Sequence, residues 1–135
     1  MILLDTSVLS AALRRPQPGA QEKAVAERLQ TLLDGGERVC APGIVVQELL
    51  SGIKDPAQFE RIKGILLRGY PVLTATLGDH VLAAEVANKC RKRGVAVSTV
   101  DGLIAAIAIN AHARLFTTDQ DFDHIAQISA LRLLD

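Results

Sequence analysis

The chain has 135 residues, 49% of them apolar, 3% aromatic and none of them Trp, which fits one domain with an aliphatic core and excludes a disordered chain. Fifteen basic residues balance fifteen acidic ones, so composition alone does not announce a nucleic-acid binder and any such claim must rest on local patches. Two cysteines, Cys40 and Cys90, without a CxxC or Cys/His cluster, exclude a disulfide framework, argue against structural zinc and suit a reducing cytosol.

The first apolar run, residues 2–4, reads as a strand that stops at Asp5. No basic leader precedes it, so no signal peptide is expected. The longest apolar stretch, LIAAIAI at 103–109, is far too short to cross a bilayer, and a cytoplasmic protein is expected. A short helix over 7–13 is broken by the Pro16–Gly19 stretch. Residues 20–33 form the next helix, with Ala24, Leu29, Leu32 and Leu33 as its buried stripe and Gly35-Gly36 at its end. A strand at 38–41 leads to a helix that opens on Pro42, runs to Leu50 and closes at Gly52. Residues 56–67 are helical, 72–73 a short strand, and a helix from Thr76 or Gly78 runs to Arg93 and stops at Gly94. Ser98 or Thr99 caps a helix that extends to Ala111. A strand at 115–118, a helix at 122–128 and a strand at 131–134 complete the chain. Strands separated by helices predict crossover connections and a mostly parallel sheet covered on both faces.

Ligand sites of such sheets gather beyond the carboxyl ends of the strands. Asp5 and Asp119 fall at such ends, Asp101 in the first turn of a helix, and Glu48 inside an otherwise apolar helix. Each acid has a structural reading of its own. Asp5 suits a helix cap, Asp101 stands at capping-box spacing from Ser98, Asp119 and Asp121 suit a turn, and Glu48 suits a solvent-facing helix position. Taken together, acids without matched basic partners need a cation to coexist. Oxygen ligands of this kind suit a hard ion such as Mg²⁺, which polarises phosphoryl oxygens and activates water. Thr6, Ser7, Thr117 and Thr118 are candidates to orient the carboxylates, and equally suit caps and strands.

The segments MILLDTSVLS, VVQELLSG, STVDGLIAAIAI and LFTTDQDF occur in this order across nearly the whole chain. Together they resemble the PIN-domain ribonucleases, specifically the VapC-like toxins of bacterial toxin–antitoxin pairs. Any one of them alone is a weak signal. The resemblance implies one three-layer α/β/α domain over residues 1–135 and a Mg²⁺- or Mn²⁺-dependent endoribonuclease. Asp5, Glu48, Asp101 and Asp119 match its four metal-binding catalytic acids, Asp121 an accessory acid, and Thr6 and Thr118 the accompanying hydroxyls. It also implies a homodimer silenced by a cognate antitoxin, with operator DNA reached only through that antitoxin.

For the RNA, Lys89, Arg91, Lys92 and Arg93 are the densest basic run and are read either as a favourable helix end or as a phosphate-contacting rim, with Arg14 and Arg15 opposite. The scarce aromatics (Phe59, Tyr70, Phe116, Phe122) argue against a base-stacking platform. His80, His112 and His124 share no ligand spacing and suit surface or capping roles. Two other readings of the chain stand beside the nuclease: a binding module that sequesters an antitoxin and sits with it on operator DNA, and another metal-dependent phosphohydrolase.

Overall fold

The computed structural model describes residues 1–14 and 17–135. Arg15, expected beside Arg14, and Pro16, expected to break the first helix, lie outside the described residues. In chain order the elements are β1 (Ile2–Leu4), α1 (Thr6–Leu13), α2 (Ala20–Asp34), β2 (Val39–Pro42), α3 (Gly43–Leu50), α4 (Pro56–Gly69), β3 (Val72–Leu73), α5 (Leu77–Lys92), α6 (Thr99–Asn110), β4 (Arg114–Phe116), α7 (Asp121–Ile128) and β5 (Arg132–Leu133).

The strands make one sheet in the order β3-β2-β1-β4-β5. Every neighbouring pair is parallel, so the sheet is wholly parallel where the sequence predicts a mostly parallel one. All three residues of β1 and all four of β2 are buried. Successive strand side chains point to opposite faces, so such unbroken burial requires helices on both sides. The result is the three-layer α/β/α architecture, with Ile2, Leu3, Leu4 and Leu115 at the centre of its aliphatic core.

Three details depart from the expected pattern. Pro42 ends β2 and caps α3 rather than opening the helix, because its backbone is extended. The buried stripe of α2 uses Val25 with Leu29, Leu32 and Leu33, whereas Ala24 is exposed. Strand β4 ends at Phe116, so Thr117 and Thr118 lie past the strand, before Asp119.

Helices α5 and α6 end alike. After α5, Val95 donates its N–H to the Cys90 carbonyl and Gly94 to that of Arg91, with Gly94 at φ +78°. After α6, Ala113 bonds Ala108 and His112 bonds Ile109, with His112 at φ +52°. Both are αL terminations that satisfy the last carbonyls, one with the favoured glycine and one with a histidine that serves as a cap.

The start of α5 is held by a closed capping box. Thr76 Oγ1 accepts from the Asp79 N–H and Asp79 Oδ2 accepts from the Thr76 N–H, while Asn110 Nδ2 of α6 donates to Asp79 Oδ1 at 2.7 Å. Burial pushes the Asp79 carboxyl up, but the hydrogen bonds from Thr76 and Asn110 and the nearby His80 outweigh it, leaving it below the usual carboxylate value. A depressed folded pKa gives stability that is present above the unfolded value and lost as pH falls through the folded one. Asp79→Ala is therefore expected to cost about 1–3 kcal/mol at pH 7. The cost should shrink in melts run below the ordinary carboxylate range. An equal cost at pH 7 and pH 3 would contradict this account.

Candidate active site

The chain leaves β1 to build β2 and β3 on one side and returns to place β4 on the other, so the strand order reverses between β1 and β4. The crevice at that reversal is where parallel sheets hold ligands. Register sets what lies there. Leu4 pairs with Phe116 and the Asp5 N–H bonds the Phe116 carbonyl, which brings Asp5 alongside Thr117 just past the strand ends.

Asp5 is 4% exposed and caps α1. Its Oδ2 accepts from the Ser7 N–H at 3.4 Å, the Ser7 hydroxyl at 2.7 Å and the Thr117 hydroxyl at 2.8 Å. Each hydroxyl has one proton, and both are spent on Asp5. The 3.4 Å approach of Ser7 Oγ to Thr117 Oγ1 is therefore a close contact rather than a third bond. The same hydroxyl oxygens accept in turn, Ser7 from the Thr118 N–H and Thr117 from the Asp119 N–H, both at 3.0 Å. No described residue bonds Asp5 Oδ1, and no buried side-chain oxygen is left without a partner, so Oδ1 reaches solvent. Asp5 is thus both cap and immobilised carboxylate, with one oxygen clamped and one presented outward.

Asp101, Asp119 and Asp121 each place a carboxylate oxygen within 4.8 Å of the others. The Asp121 N–H bonds Asp119 Oδ1 at 2.9 Å, which fixes the turn between β4 and α7. Burial foremost, then the negative charges of Asp119, Asp5 and Asp121, push Asp101 up to about 6, against a smaller opposing effect of Ser98. Ser98 Oγ accepts from the Asp101 N–H at 3.0 Å, which is half of a capping box. The return bond from the carboxylate is not made, in contrast to Asp79.

Glu48 lies one layer out. It is half-buried on α3, and Oε1 accepts from the Thr6 hydroxyl at 2.6 Å, which ties it to the residue after Asp5. The tight trio is therefore Asp101, Asp119 and Asp121, with Asp5 joined through Thr117 and Glu48 through Thr6. Asp121, expected as accessory, sits among the closest acids. Thr118, expected to supply a hydroxyl, supplies its backbone N–H, and Thr117 is the residue that reaches Asp5. Side-chain alternation explains the swap, since of two successive residues in extended chain only one points at a given neighbour.

Among the described residues no basic side chain pairs with any of these five acids. Clustered carboxylates with no cationic partner, one of them forced toward neutrality, are a donor set that a hard divalent cation satisfies. The basic residues lie elsewhere. Arg14 follows α1, one turn beyond Ser10. Lys89, Arg91, Lys92 and Arg93 are exposed at the end of α5. Arg91 bonds Asn88 and lines a cavity of about 380 Å³ with Val97, Ser98, Thr99 and Leu103, while Lys89 faces Ile109 and Ser129. Asp101 follows Ser98 and Thr99 of that cavity on α6 and brings its carboxylate to those of Asp119 and Asp121. Tyr70, Phe116 and Phe122 are buried, so they offer no stacking platform.

The description "PIN domain" belongs to the family model that matches residues 2–128. Ribonuclease VapC11 of Mycobacterium tuberculosis is 32% identical over 134 residues, covering 98% of this chain and 96% of the relative. The structure of VapBC-1 from nontypeable Haemophilus influenzae superposes with a TM-score of 0.77 at 26% identity over 100% of this chain and 98% of that one. VapBC2 from Rickettsia felis, bound to a DNA fragment from its promoter, shares the fold with a TM-score of 0.78 at 22% identity, over 99% and 98% of the two chains.

Proposed function

The chain belongs to the PIN-domain family, and from that membership and the acidic crevice we propose that it is a Mg²⁺-dependent endoribonuclease, the toxin of a toxin–antitoxin pair. The observation that carries the reading is the convergence of Asp101, Asp119 and Asp121 beside the clamped Asp5, with no basic side chain among the described residues paired to them. Mg²⁺ or Mn²⁺ is the class of ion such oxygens hold. When bound it supplies charge neutralisation at the phosphate and an acidified water.

The protein's own contribution is placement. Ser7 and Thr117 fix Asp5 so that Oδ1 faces the crevice, and Thr6 fixes Glu48. The Asp119–Asp121 turn is locked by the Asp121 N–H on the Asp119 carboxylate, so the acids need little rearrangement to receive the phosphodiester. Asp101, raised to about 6 in the metal-free protein by burial and its neighbouring acids, is the group whose proton is exchanged closest to neutral pH. Asp5, Glu48, Asp101 and Asp119 are the proposed catalytic set, with Asp121 as a further ligand and Arg14, Lys89, Arg91, Lys92 and Arg93 attracting the RNA backbone by charge.

The VapBC assemblies of H. influenzae and R. felis support an antitoxin as partner, and operator DNA would be reached through that antitoxin. Leu67, Val72, Leu77 and Val81 are exposed apolar side chains that a homodimer would cover. Both cysteines are free and buried, consistent with a reducing cytosol, and no helix among the described residues is long and apolar enough to cross a membrane. The test is cleavage of RNA by purified protein in Mg²⁺ and in EDTA, with Asp5→Ala alongside. Cleavage is expected only for the wild type with metal. Undiminished cleavage by Asp5→Ala would sink the proposed centre.

A further inference from the structure

A cavity of about 250 Å³ opens between α1 and α2 directly beside the acidic crevice. Its floor is Ser7 and Thr118, the residues whose hydroxyl and backbone N–H hold Asp5 in place. Whatever occupies it is therefore separated from Asp5 by a single layer of hydrogen-bonded atoms. Ser10 and Ala11 come from α1 and Gln21, Glu22 and Val25 from α2, so the walls combine a hydroxyl, a carboxamide, a carboxylate and two small apolar surfaces. Among the described residues no basic side chain lines it. The larger cavity at Arg91 meets the acids only through Ser98, which accepts from the Asp101 N–H.

We propose that the α1–α2 cavity receives the unpaired base of a nucleotide flanking the scissile phosphate, and that Gln21 and Ser10 select that base. A nucleobase is a flat, uncharged ligand with donors and acceptors on its edge. A glutamine carboxamide offers both donor and acceptor to such an edge, and Ser10 adds a rotatable hydroxyl. Ala11 and Val25 match the apolar faces of the ring. Single-stranded RNA is read in this way, by splayed bases bonded along their edges. Arg14, which caps α1 one turn beyond Ser10, would offer its charge to the next phosphate of the strand.

This inference rests on the nuclease reading, and the experiment separates the two. Wild type, Gln21→Ala, Ser10→Ala, Asp101→Asn and the control Gln30→Ala, on α2 but outside the cavity, are incubated with a random-sequence RNA pool and Mg²⁺. Product ends are sequenced, and circular dichroism melts verify folding. Wild type and Gln30→Ala are expected to share one base preference beside the cut. In Gln21→Ala, cleavage at preferred sites should fall about ten-fold relative to other sites, the discrimination that one edge-reading contact provides. Ser10→Ala should shift the preference in the same sense by less. The inference is overturned if both variants keep the wild-type product distribution, the result expected if the cavity instead holds an antitoxin side chain. It is also overturned if wild type cuts without any base preference. No cleavage by wild type, or full cleavage by Asp101→Asn, would overturn the nuclease reading and this inference with it.

Discussion

Replacing Asp101 with Asn is expected to abolish Mg²⁺-dependent RNA cleavage while making the metal-free protein more stable above pH 6. Both effects have one cause. Burial and the charges of Asp119, Asp5 and Asp121 raise the Asp101 carboxyl to about 6, so the folded protein binds this proton more tightly than the unfolded chain does. Stability therefore falls as pH rises from the unfolded value through 6, and the full penalty is present above that point. Asn keeps the shape and the backbone N–H bond to Ser98 but carries no charge. At pH 8 the variant should gain about 1 kcal/mol after allowance for solvent screening, a rise of roughly 3 °C in Tm. The gain should fade toward pH 4. Added Mg²⁺ should stabilise the wild type more than the variant, because only the wild type offers the complete anionic set. Cleavage should drop roughly 10²–10³-fold, the loss typical of removing one preorganised electrostatic contact. A variant that is no more stable than wild type at pH 8 would show that the acids do not repel one another as the geometry requires.

Phe122→Ala is expected to cost about 3–5 kcal/mol, a large share of the 5–15 kcal/mol that holds a domain together. Phe122 is fully buried and is the largest such side chain in the core. It lies on α7 directly after Asp121, and its N–H bonds the Asp119 carbonyl at 3.3 Å. It therefore anchors the turn that carries two of the clustered acids. A cavity there should lower the urea midpoint and, in the fraction still folded at low temperature, loosen the Asp119–Asp121 geometry enough to slow cleavage. Phe122→Leu keeps most of the volume and should cost less than about 1.5 kcal/mol. Loss of activity with an unchanged urea midpoint would contradict the anchoring role.

Most of the architecture is legible in the chain because local signals agree with it. The unbroken Ile2-Leu3-Leu4 run states a strand buried on both faces, and Thr76 and Ser98 stand at caps where their side chains bond the first free N–H groups. Gly94 marks the end of α5 because a positive φ is least costly there. The acids themselves are equally visible, since Asp5 and Asp119 follow strands and carboxyl ends of parallel strands share one edge.

Asp79 and Asp101 show where this legibility stops. Each stands three residues after a Thr or Ser at the head of a helix, so locally they carry the same signal. At Asp79 the carboxylate returns to Thr76 and takes Asn110 from α6, which is structural. At Asp101 it does not return and faces other carboxylates instead. The difference is made by residues 31 positions away in one case and 18 in the other, through helix packing and strand register. The same holds for Thr117 over Thr118, chosen by which residue follows β4 in register with Asp5. Glu48 likewise owes its fixed position to Thr6, 42 residues earlier. Sequence alone determined the elements, their caps and the candidate acids, because those depend on neighbours in the chain. Only the tertiary structure decided which carboxylates meet, since that depends on groups brought together across the sheet.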